Sequence, residues 1–320
     1  VIKKKKQIGR ITLILVSLSM AFLFLATIVL SGCKTDAASE TSGSEAKASD
    51  AANVKFTNEK LMVSGSTTLL EVSQFWSEAF MEKFGGEVTL SGGGSGVGIA
   101  DLINGTTDLA NSSRAIKDDE KTKAQSAGED IKEYKVVIDG ICIVTSKNII
   151  VSELTIDQLS AIYTGKITNW NQVGGSDAQI TAIARDSSSG TGEYFLQKVV
   201  QLDGKTKTND YSQNTLRLQS NADVINQVEA NDNSIGYIGM GYLKDAGGKV
   251  NMVKVKLSEN TTAIAPTIKT VSDFSYPIAR YCYIYANANK ISEIAQAYID
   301  FVLSPDGQNI AEEAGFVKAK

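Results

Sequence analysis

From residue 54 onward, short β-branched runs alternate with stretches whose apolar residues recur at helical spacing. Leu61-Met-Val63 reads as a strand. Leu69, Val72, Phe75, Trp76, Ala79, Phe80 and Phe84 then fall on one face of a helix, and Glu87-Val-Thr-Leu90 is the next strand. Such an order predicts an α/β fold with substantially parallel sheets, because each helix carries the chain back for the next strand. Two longer apolar strands are expected at Val136–Val144 and Tyr276–Ala286, and the region between them has strand and helix signals of its own at Leu154–Ile162, Ile180–Ala184 and Ile235-Gly-Tyr-Ile-Gly239. A chain that leaves one sheet, builds another and returns gives two lobes joined by two crossings. The expected division is 54–141 plus 265–320 for lobe one and 142–264 for lobe two.

The N-terminus is organised differently. Lys3, Lys4, Lys5, Lys6 and Arg10 precede an apolar run from Ile11 to Leu30, followed by Ser31-Gly-Cys33 and a Ser/Ala/Glu/Asp-rich stretch to Asn53. A basic start, an apolar middle and small residues at its end have the pattern of an export signal. The run of about 20 residues also has the length of an uncleaved membrane anchor. Leu30-Ser-Gly-Cys33 resembles the lipobox of bacterial lipoproteins, which implies a signal peptide over 1–32, lipid on Cys33 and a flexible tether over 33–53. Either reading places the body outside the cytoplasmic membrane.

Charge and residue usage exclude several functions. The chain has 32 basic and 36 acidic residues; without the five basic residues of the signal, 27 stand against 36, a net charge of −9. An acidic body argues against a nucleic-acid partner, although a locally positive pocket for a small anion remains compatible with it. The chain contains no histidine, so neither a Ser-His-Asp arrangement nor a His-containing zinc site is available, and the serine-rich loops carry no lysine beside a candidate nucleophile. A P-loop ending at Gly204-Lys-Thr206 would need glycine at 199, which is Val199. The chain therefore reads as a binding protein rather than an enzyme, with no cofactor or metal. Cys142 and Cys282, both in strand-like contexts, allow either a disulfide or buried free thiols.

The candidate chemistry lies in three segments that place Gly, Ser and Thr at a helix start: Ser64-Gly-Ser-Thr-Thr68, Ser91-Gly-Gly-Gly-Ser-Gly96 and Ser187-Ser-Ser-Gly-Thr-Gly192. Each alone is an ordinary cap with a glycine turn. Converging on one point, they would offer unpaired N–H groups, hydroxyls and the positive ends of helices to an anion. Arg185, just before the third segment, adds a fork of donors suited to a tetrahedral oxyanion.

These segments, with Asn104-Gly-Thr-Thr-Asp-Leu-Ala-Asn-Ser-Ser-Arg114, Ile162-Tyr-Thr-Gly-Lys-Ile-Thr-Asn-Trp170, Ile235-Gly-Tyr-Ile-Gly-Met-Gly-Tyr242 and Phe301-Val-Leu-Ser-Pro-Asp-Gly-Gln308, stand in an order that resembles the phosphate-binding proteins of Pst-type ABC transporters. The resemblance covers nearly all of the body. It implies a two-lobed, type II-like periplasmic-binding-protein fold with the ligand in a cleft between the lobes. It also implies inorganic phosphate as ligand, a transmembrane permease pair with a cytoplasmic ATPase as partner, and a monomer held to the membrane by its lipid. By the same resemblance Thr67 and Thr68 match the first phosphate-contacting loop, Ser95 the second, and Arg185, Ser189, Gly190 and Thr191 the loop of the other lobe. A carboxylate that often accepts the phosphate proton in this family is replaced by Ser113, so sulfate or another tetrahedral oxyanion is the alternative ligand, and a surface adhesion or signalling lipoprotein the alternative role. Arg114 either adds charge to the pocket or pairs with Asp118 or Asp119. Asp186 is expected to orient Arg185, and Trp76 and Trp170 to serve packing.

Overall fold

The computed structural model describes residues 56–319, which lie within one compact unit spanning 51–320. The signal peptide expected over 1–32, the tether expected over 33–53 and the lipidation expected at Cys33 lie outside the described residues.

Strand β1 (Phe56–Gly65) buries Leu61 and Val63 and exposes Lys60 and Met62, the alternation expected of a strand with one covered face. Helix α1 (Leu70–Phe84) buries Val72, Trp76 and Phe80 at four-residue spacing, and the Trp76 indole N–H donates to the Gly307 carbonyl at 2.7 Å. Strand β2 (Gly85–Gly93), helix α2 (Ser95–Asn104) and strand β3 (Leu109–Ser112) follow, with β2 and β3 parallel to β1 on its two sides. Helix α3 (Asp118–Ser126) leads into the 15-residue strand β4 (Ile131–Thr145).

The next part of the chain contributes β5 (Glu153–Thr155), α4 (Ile156–Tyr163), β6 (Thr181–Arg185), α5 (Gly190–Phe195), β7 (Leu216–Leu218), α6 (Asn221–Ala230), β8 (Ser234–Gly239) and β9 (Asn251–Lys256). A short α7 (Ile268–Ser272) precedes β10 (Ala279–Asn287), and α8 (Glu293–Leu303), α9 (Pro305–Glu313) and β11 (Val317–Lys318) complete the fold. The main path of strands is β2-β1-β3-β10-β4-β8-β6-β7.

Strand β4 belongs to both lobes. Residues 131–140 pair antiparallel with β10, whereas 141–145 pair with β8 and β9, so the sheet changes partners at Gly140–Ile141. The parallel pairing expected from the sequence holds for β1 with β2 and β3 and for β6 with β7 and β8, but β4 and β10 run antiparallel to their neighbours. One of these strands leaves the first lobe and the other returns to it, which requires opposite directions. Strand β4 also begins five residues earlier than its apolar run, because Lys132, Glu133 and Lys135 occupy exposed ladder positions beside β10.

Among the described residues two large apolar cores flank the shared strand, beside a smaller cluster around Ile99, Leu102, Ala110 and Tyr285. One gathers Leu61, Trp76, Phe80, Ile284, Tyr298 and Phe316; the other gathers Ile143, Tyr163, Trp170, Phe195, Tyr237 and Val253. Phe195 stacks on Tyr237 with ring centroids 3.9 Å apart. Val271, Tyr276 and Ile278, from the stretch assigned by sequence to lobe one, pack in the second core. Cys142 and Cys282 are free and fully buried, and burial pushes both thiols up from their ordinary range.

Candidate functional site

The three glycine/hydroxyl segments meet where the lobes face one another. The turn 66–69 enters α1, Gly94 at φ +103° precedes α2, and Ser189 caps α5 by accepting from the Gly192 N–H at 3.1 Å. These positions bring Thr68 Oγ1 within 2.7 Å of Thr191 Oγ1 and Ser95 Oγ within 3.2 Å of Ser113 Oγ, while the Ser113 N–H donates to Ser95 Oγ at 3.0 Å. Ser113 Oγ is 3.4 Å from Thr191 Oγ1. All four residues are buried, so their hydroxyls form one polar centre between the lobes.

The approach depends on absent side chains. A Cβ on Gly190 would stand 2.8 Å from Ser113 Oγ and closer still to Ser95 Oγ. The loops also touch through backbone, since the Gly96 N–H donates to the Ser188 carbonyl at 3.2 Å.

Arg185 ends β6 and is 1% exposed. Its guanidinium donates to Asn221 Oδ1 at 3.1 Å, to Thr67 Oγ1 at 2.7 Å across the cleft, and to the carbonyls of Leu218 and Gln219. Every one of these partners is neutral, and among the described residues no carboxylate forms an ion pair with Arg185. Burial draws its pKa below the ordinary arginine value, with Tyr237 and Asp186 offsetting part of the effect. Asp186, expected to orient this arginine, instead accepts from the N–H groups of Ser188 and Ser189 and from the Ser188 hydroxyl, and so shapes its own loop.

A second buried arginine was not singled out from the sequence. Arg280 is 3% exposed and sits opposite Asp139 in the β10–β4 register. It donates to Asp139 Oδ2 at 2.8 Å and to Thr191 Oγ1 at 2.7 Å, so a fixed cation occupies an acceptor position on that hydroxyl. Asp139 also accepts from the Met240 N–H at 2.9 Å. Burial pushes its carboxyl up, and the Arg280 charge and hydrogen bonds oppose that. The signal for both residues was one charge inside an otherwise apolar strand: Asp139 within Val136–Val144 and Arg280 within Tyr276–Ala286. Such a charge must find a partner when buried. Asn221 and Tyr242 were likewise missed; Tyr242 donates its hydroxyl to the Thr67 carbonyl at 2.7 Å.

Arg114 is not aimed at the polar centre. Its Nη1 and Nη2 donate to Glu120 at 2.8 and 2.7 Å, and its Nε donates to Glu193. The expected alternatives Asp118 and Asp119 instead pair with Lys121 and Lys123. Burial lowers the pKa of Arg114, but the two glutamates more than offset it and hold it above the ordinary arginine value.

A two-lobed α/β body with a polar centre at the crossings defines the class of the binding-protein fold, and a family described as the PBP superfamily domain matches residues 36–306. A relative from Staphylococcus saprophyticus called phosphate-binding protein PstS is 35% identical over 263 residues, covering 79% of this chain and 78% of the relative. The structure of a putative phosphate ABC transporter substrate-binding protein with bound phosphate from Clostridium perfringens matches at a TM-score of 0.71 and 32% identity, over 82% of this chain and 100% of that one. An ABC-type phosphate transport receptor from Vibrio cholerae matches at a TM-score of 0.64 and 25% identity, over 80% and 99%. The chain belongs to the PstS family of the PBP superfamily.

Proposed function

We propose that this protein captures inorganic phosphate outside the cytoplasmic membrane and delivers it to an ABC-type importer, with the anion held between the lobes by Thr67, Thr68, Ser95, Ser113, Arg185, Ser189, Gly190 and Thr191. The observation that carries this reading is Arg185, a buried guanidinium whose hydrogen-bond partners are all neutral. A buried charge without an opposite charge is costly, and an oxyanion at the hydroxyl centre would supply the missing partner. Arg280 prepares the same centre from below: a hydroxyl that already accepts from a guanidinium, as Thr191 does, has its proton free to donate to an anion. The membrane partner would be a permease pair driven by a cytoplasmic ATPase, in keeping with the ABC transporter named for a structural relative. Lipid on Cys33 would keep the monomeric body near that permease, and the protein would act by binding rather than catalysis.

Sulfate is a second reading with an observation behind it. Among the described residues no carboxylate hydrogen-bonds to the Thr68, Ser95, Ser113 and Thr191 hydroxyls, so the proton of hydrogen phosphate would fall to a neutral hydroxyl or carbonyl oxygen. Hydroxyls both accept and donate, so discrimination should be weaker than a carboxylate gives, where an unmatched buried polar pair costs about 1–3 kcal/mol. Competition binding with labelled phosphate tests the order of preference. Phosphate displacing sulfate by a wide margin supports phosphate capture, and the reverse order assigns the protein to another oxyanion.

Gly190→Ala should weaken phosphate binding by about 2 kcal/mol, because the new methyl group must be accommodated against Ser95 and Ser113 before the lobes can meet. Calorimetry on the variant checks this, and the cost should fall on affinity more than on thermal stability.

A further inference from the structure

We propose that Glu193 sets the affinity and residence time of the bound anion by latching the two lobes together, without touching the anion itself. This inference rests on the phosphate-binding reading. Glu193 lies in the first turn of α5 on lobe two, and its carboxylate accepts from Arg114 Nε and Lys117 Nζ on lobe one. Arg114 is 6% exposed and Glu193 21%, so this contact is better shielded than a surface ion pair.

The arrangement is built to open. Glu120, on lobe one with Arg114, holds both terminal nitrogens of the guanidinium. When the lobes part, Arg114 keeps that bidentate partner and no buried cation is stranded; only the half contributed by Glu193 is lost. Glu193 is also tied to the anion loop, since its N–H donates to the carbonyl of Ser189 at 2.9 Å. Closing the loop over an anion therefore carries Glu193 onto Arg114 and Lys117. Any contact made only in the closed form raises its population, and the apparent affinity rises in the same proportion. The cation beside Ser113, which the sequence offered as a ligand, thus acts through closure.

The test is Glu193→Gln, read by stopped-flow phosphate association and dissociation and by the distance between two probes, one on each lobe, without and with phosphate. The dissociation rate should rise about tenfold or more while the association rate stays within about twofold, and the interlobe distance without anion should lengthen. Lys117→Gln should move both readouts in the same direction by less, because Lys117 is 43% exposed. Glu193→Asp should recover part of the loss. Unchanged dissociation and unchanged interlobe distance in a Glu193→Gln protein that still binds phosphate would overturn the latch, as would a loss of thermal stability with neither readout altered. If the wild-type protein bound no phosphate, the functional reading would fail, while lengthening of the anion-free distance in the variant would still support the latch.

Discussion

Arg185→Met is expected to abolish phosphate binding while leaving the anion-free protein no less stable than the parent. The loss in affinity should be at least about 3 kcal/mol, more than a hundredfold, since among the described residues the variant removes the one buried cation of the proposed site that has no carboxylate of its own. The stability half of the expectation has a separate cause. A buried guanidinium held by carbonyls, an amide and a hydroxyl is poorly compensated without an anion, and an apolar side chain of similar length removes that cost. Thermal unfolding should therefore show two distinct behaviours. Phosphate at a hundred times its dissociation constant stabilises a binding-competent protein by about 2.7 kcal/mol. The variant should show no such rise. Retained phosphate stabilisation in Arg185→Met would remove Arg185 from the site.

Arg280→Met should act mainly on the fold. Asp139 is fully buried, and Arg280 is its only charged partner among the described hydrogen bonds. Removing one member of such a pair leaves a buried carboxylate facing little more than backbone N–H groups, and the expected cost is about 3–5 kcal/mol. The double variant Asp139→Leu with Arg280→Met discards both charges and should recover much of that loss. Denaturant unfolding of the parent, the single variants Asp139→Leu and Arg280→Met, and the double variant checks the cycle. Near-additivity of the two single changes would mean that the pair is not coupled as its 2.8 Å contact requires.

The parts of the proposed site legible in the sequence are those governed by local rules. Thr67, Thr68, Ser95 and Ser189–Thr191 stand at or just before helix starts, and glycine and hydroxyl residues mark such places within a few positions along the chain. Convergence of the three segments was expected from the family resemblance, and the structure brings their hydroxyls within hydrogen-bonding distance. Arg280 and Asp139 were not legible as a pair because they are 141 residues apart and meet only through the antiparallel register of β10 on β4. Arg114 was legible only in part. Glu120, which holds both its terminal nitrogens, lies six residues away and within local reach, whereas Glu193 arrives from the other lobe, 79 residues away. The antiparallel direction of the two crossing strands likewise follows from the path of the chain between lobes, which local alternation does not encode.

Calorimetric titration of the anion-stripped protein with phosphate reads anion capture itself. Saturable binding of one phosphate per chain, lost in Arg185→Met, is the expected result; heats indistinguishable from dilution in the wild-type protein would contradict phosphate capture.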